Sequence, residues 1–117
     1  MPYLLLIIEP TGQRLARGRD AGAQVYERML RYTDDLASRG VLIASNSLTS
    51  AANGTRVQVR DGKQRLIDGP FAEAKEMVGG FFLLNSGTRE EALAIASACP
   101  AAEWCTVEVR EVGPCYD

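Results

Sequence analysis

The apolar and polar positions of this chain fall into segments of two periods, one fitting strands and one fitting helices. Tyr3 to Ile8 is apolar throughout, as in a strand buried on both faces, and Glu9, Pro10 and Gly12 end it. Arg14 to Gln24 carries three Arg and two Gly without helical periodicity and reads mostly as loop. From there Val25, Met29, Tyr32 and Leu36 recur at helical spacing, with Glu27, Arg28, Arg31, Asp34 and Asp35 on the other face. Gly40 stands where such a helix stops.

Val41 to Leu48 predicts a second strand, and TSAANG after it a loop. TRVQVR alternates strictly, DGK supplies a tight-turn signal and QRLID returns, which together predict a β-hairpin. GGFFLLN predicts a further strand. In TREEALAIASAC, Thr88 and Glu91 form a capping box, and Pro100 closes the helix that follows. WCTVEVREV supplies the last strand.

Without the hairpin the order is βαββαβ, which predicts an α+β fold of ferredoxin-like plan with both helices on one face of an antiparallel sheet. The other face needs a cover, and a second copy of the chain is the simplest one, so a homodimer paired sheet to sheet is expected.

Composition narrows the function. At 117 residues and 46% hydrophobic content, the chain predicts a single domain over residues 1–117 around one core. A net charge of -2 offers no basic field for phosphates, which argues against direct nucleic-acid binding. The longest apolar run is far shorter than the roughly 20 residues of a membrane span, and no cleavable signal pattern precedes it, so a cytoplasmic protein with no membrane contact is expected. Cys99, Cys105 and Cys115 show neither C-x-x-C spacing nor a disulfide framework, and read as two small core residues and one thiol near the tail. The chain has no histidine, which removes Ser-His-Asp and Cys-His nucleophile activation, H-E-x-x-H zinc sites and imidazole proton shuttling. No metal and no cofactor is expected, and any acid-base chemistry falls to carboxylates, Lys, Tyr or Cys.

The stretch DGPFAEAKEMVGGFF, residues 68 to 82, gathers the candidate chemistry. Asp68, Gly69 and Pro70 form a turn for plain reasons, since Asp caps its own backbone, Gly tolerates positive φ and Pro fixes φ. The same turn can aim the Asp68 carboxylate and free backbone amides into a cleft with Phe71 as a wall. Glu73, Lys75 and Glu76 are either a solvated charged loop or a site in which Lys75 binds an anionic or carbonyl ligand while Glu73 or Glu76 moves a proton. Asp68, Lys75 and Glu76 are therefore the candidate catalytic residues. Ser45, Asn46 and Ser47 interrupt an apolar strand, and inward polar groups need partners in backbone, water or ligand. With Gly69, Pro70, Phe71, Glu73 and Arg110 they complete the candidate ligand-binding set, although Arg110 can pair instead with Glu108 on the same strand face. Tyr3 and Tyr116 are further donors.

DGPFAEAKEMVGGFFLL resembles the signature of the YCII-related family, in particular its DGPF branch, which typically reads DGPFAETKE before a Gly-Gly-aromatic strand. YLLLI, ASRGVLIASNSL and VEVR extend the resemblance over nearly the whole chain, with Ala74 standing where Thr is usual. The resemblance implies a dimeric α+β barrel of ferredoxin-like subunits with a cleft near the motif. Some relatives are thought to use a His and Asp pair, and the missing His leaves half of that pair without a counterpart. Two functions follow: a small-molecule-binding protein with lyase-like acid/base activity near the motif, or a non-catalytic regulatory or interaction module in a sigma-factor setting.

Overall fold

The computed structural model describes residues 1–116. Its elements run β1 (Tyr3–Pro10), α1 (Gln13–Arg17), α2 (Arg19–Ser38), β2 (Leu42–Ser47), β3 (Thr55–Arg60), β4 (Lys63–Asp68), β5 (Glu76–Leu84), α3 (Arg89–Ser97) and β6 (Thr106–Glu111). Four strands form an antiparallel sheet in the order β2-β5-β1-β6, and β3 and β4 pair as a separate hairpin. The protein is thus a mixed α+β fold built on antiparallel sheets.

β1 lies inside the sheet, so both of its faces carry apolar side chains. Tyr3, Leu5 and Ile7 are buried, and Leu5 and Tyr3 stand opposite Phe82 and Leu84 of β5. Onto these residues pack Tyr32 and Leu36 of α2 and Ala92, Ile95 and Ala96 of α3. The Tyr32 ring meets Phe82 edge-on at 5.4 Å between centroids, and its hydroxyl donates to the Ile95 carbonyl at 2.6 Å. Leu5, Leu36 and Leu84 are completely enclosed, and such burial stabilises by about 1.5–3 kcal/mol per side chain. The opposite face presents Leu4, Leu6 and Ile8 beside Phe81 and Leu83, all only half-buried.

The hairpin turns where the sequence places its turn. Asp61 and Gly62 take φ of 53° and 75°, the left-handed pair that a two-residue turn of matching twist requires. Gly40 ends α2 with φ 74°. At the start of α3 the Thr88 hydroxyl accepts the Glu91 amide at 3.2 Å, and the helix finishes at Ser97, ahead of Pro100.

Arg14 to Gln24 departs from its loop reading. α1 and α2 occupy it almost entirely, separated by Gly18 at φ 86°. The segment is rich in Arg and Ala, which hold a helix by propensity, and its exposed outer face needs no apolar stripe.

Candidate functional site

α2 is seated unevenly on the sheet. Tyr32 and Leu36 toward its C-terminal end are buried, whereas Tyr26 and Leu30 before them are 52% and 46% exposed. Beneath those earlier turns, β5 presents Gly79 and Gly80, which raise no side chain to meet them. The result is a cavity of about 730 Å³ with Ile7 and Phe82 in its floor, Val25, Met29 and Leu30 in its helical wall and Trp104 at one side. That volume is in the usual range for small-molecule sites.

One end of the cavity is closed by an ion pair. Glu9, at 9% exposure, accepts from Arg14 Nε at 2.6 Å and from Nη2 at 3.1 Å. Arg14 Nη1 also donates to the Leu48 carbonyl at 2.8 Å, tying α1 to the segment that leaves β2. Room for the pair comes from the irregularity between Ile7 and Ile8, where the register on β5 passes from Gly80 to Val78 and leaves Gly79 unmatched. A Cβ on Gly79 would overlap the Glu9 carboxylate. Burial, and after it the Glu9 charge, push the nearby Cys105 thiol up to about 11.

Two guanidinium groups lie over Trp104, Arg17 at 5.8 Å and Arg28 at 5.3 Å from its ring centroid. Arg28 is engaged by Glu103 at 2.6 Å, and that hydrogen bond holds the Glu103 carboxyl below the usual carboxylate range. Gln13 fixes the Trp104 backbone by donating to its carbonyl at 2.6 Å.

The residues singled out from the sequence fall in three places. Ser45, Asn46 and Ser47 line the large cavity from β2. Phe71 and Glu76 line a second hollow of about 340 Å³, where the Arg56 guanidinium lies 3.8 Å from the Phe71 ring centroid. Asp68 is exposed at the base of the hairpin and accepts from the Thr55 hydroxyl at 2.8 Å. Gly69 donates to the Gly54 carbonyl at 2.8 Å and precedes a cis peptide to Pro70. Its φ is not positive; a Cβ there would instead overlap the Ala51 carbonyl, so close backbone approach is what requires glycine. Glu73 and Lys75 are exposed, and the Lys75 carbonyl accepts the Thr11 amide at 2.9 Å. Arg110 lies apart on β6, 3.6 Å from Glu108, opposite Leu4. The two hollows share Leu48 and Thr49 in their walls, so the Ser45 to Ser47 stretch and the DGPF turn adjoin without forming one pocket.

Sequence reasoning passed over Glu9, Arg14, Arg17 and Trp104. The signal available for them was an acid at the end of an apolar strand, an arginine one short turn later, and a Gly-Gly pair opening β5 to receive them. Among the described residues, no three His, Cys, Asp or Glu side chains gather as a metal site, and no helix is long and apolar enough to cross a membrane.

No curated protein matches the chain. The family model of the YCII-related domain matches residues 1–115. With its strands, its helix-covered cavity and its DGPF turn all inside that match, the chain belongs to the YCII-related family.

Proposed function

We propose that this protein binds a small organic molecule in the cavity between α2 and the sheet. The observation that carries this reading is the Gly79-Gly80 floor, which leaves a volume of about 730 Å³ open under a helix whose only buried residues are Tyr32 and Leu36. Apolar walls with a few polar groups from β2 suit a ligand that is part apolar and part polar. Asp68, Lys75 and Glu76, with Gly69, Pro70, Phe71 and Glu73, would form the outer rim through the adjoining hollow. Any lyase-like proton transfer would fall to Asp68, Lys75 and Glu76 of that rim, and Arg110 would serve the opposite sheet face.

The strand order β2-β5-β1-β6 supports a ferredoxin-like subunit, and the DGPF sequence supports the branch of that name. Pairing of two such subunits through Leu4, Leu6, Ile8, Phe81 and Leu83 would make the dimeric α+β barrel. A second reading is favoured by the hairpin, where Val57, Val59 and Leu66 are each at least 60% exposed. Such a surface suits an interaction module that docks a protein partner in a regulatory setting.

The chain has one tryptophan, and it lines the cavity, so its fluorescence reports occupancy. A metabolite screen by thermal shift and Trp104 emission should find ligands that move both signals. If Asp68→Asn and Lys75→Met abolish the shift without moving the unliganded melting temperature, the rim takes part in binding. If every hit leaves Trp104 emission unchanged, the ligand site is not this cavity.

A further inference from the structure

We infer that the ligand of this cavity is an amphipathic organic anion, a molecule with an apolar body and one acidic head; the inference rests on the cavity being the binding site. Four charged residues line the cavity: Glu9, Arg14, Arg17 and Arg19. Glu9 and Arg14 satisfy each other through two hydrogen bonds and cancel in charge. Arg17 and Arg19 remain, and neither takes part in an ion pair among the described residues. A protein with net charge -2 therefore concentrates two unneutralised guanidinium groups on this cavity.

Arg19 is exposed, whereas the setting of Arg17 favours an anion over a solvated surface role. Arg17 is half-buried and lies over the Trp104 ring, which steadies the guanidinium against one flat wall while leaving its N–H groups free to donate. Ile7, Val25, Met29 and Phe82 offer nothing to a bare inorganic anion but do bury a hydrocarbon or aromatic body. A cation would be repelled by Arg17 and Arg19, and the one carboxylate on the lining is already held by Arg14. Arg17 and Trp104 thus read the head, and α2 with the sheet reads the body.

The test titrates the whole chain with octanoate, octyl phosphate, 1-octanol and octylamine, read by Trp104 emission and independently by calorimetry. We expect at least one of the two anions to bind about tenfold or more tightly than 1-octanol, the scale of one charge-assisted hydrogen bond. Octylamine should bind more weakly than 1-octanol. Replacing both Arg17→Gln and Arg19→Gln should bring the anion to the level of the alcohol, while Arg17→Lys keeps the preference. Equal binding of alcohol and anions, or a preference that survives the double substitution, would overturn the inference and leave the cavity as the site. No binding by any of the four overturns the inference and counts against the cavity itself.

Discussion

Gly79 of β5 and Glu9 of β1 share one space: the carboxylate fills the volume that a side chain at position 79 would occupy. The Glu9–Arg14 pair therefore depends on a missing Cβ as much as on its own hydrogen bonds. Arg14→Met should strand the carboxylate and destabilise by about 1–3 kcal/mol, since removing one partner of a part-buried pair costs more than removing both. The double variant Glu9→Gln with Arg14→Met should recover part of that loss. Urea unfolding of the wild type, both single variants and the double variant checks the cycle, and simple additivity would show that the two groups do not act as a pair.

At the DGPF turn, Gly69 should matter more for stability than Asp68. Gly69→Ala drives a methyl into the Ala51 carbonyl, a backbone atom that cannot swing aside, and should cost about 1–3 kcal/mol. Asp68→Asn keeps an acceptor for the Thr55 hydroxyl on an exposed surface and should cost about 1 kcal/mol or less. Denaturation midpoints of the two variants give the ranking directly.

Alkaline pH should unfold this protein early. Burial raises the Cys105 thiol to about 11 from an ordinary 9.0 and also raises Cys99 and the Tyr32 hydroxyl. The folded chain holds these protons where the unfolded chain releases them, so the stability they contribute is whole below pH 9.0 and is lost as pH climbs toward 11. Urea midpoints should fall between those values, less steeply in Cys105→Ala. At pH 8 an alkylating reagent should modify the exposed Cys115 well before the other two thiols.

Pairing through the uncovered sheet face predicts a particle of twice the 12.7 kDa chain in sedimentation. Leu83→Glu places a charge in the middle of that face while the core cluster on the helix side stays intact. The variant should sediment as a folded monomer. A wild type that is monomeric at micromolar concentration would remove the pairing.

How far the sequence could be read depended on whether the deciding interaction was local. The hairpin was legible residue by residue because strict alternation and an Asp-Gly turn act within neighbours. The capped start of α3 was legible for the same reason. α1 and the first turns of α2 were not, because they bury little and so carry no apolar period. The Ser45, Asn46 and Ser47 triplet on β2 was recognised as unusual, and it lines the large cavity. The Glu9–Arg14 closure was hidden because its parts come from β1, α1 and a bulge on β5, which only the sheet register brings together. Arg110 stands opposite Leu4, outside the lining of both hollows, a placement set by the β1–β6 register and not by the order of residues.

The unequal seating of α2 makes the helix a cantilever. Its clamped end is Tyr32 and Leu36, fixed by the bond from the Tyr32 hydroxyl to Ile95, and its arm is the stretch before Leu30, tethered on its flank by the Arg28–Glu103 pair. Amide hydrogens on the arm can exchange through small local openings, whereas those near the clamp need an opening that exposes the core. A molecule lodged beneath the arm would give it the support that Gly79 and Gly80 withhold. Occupancy should then appear as slowed exchange from Arg19 to Leu30, with the rates beyond Tyr32 unchanged.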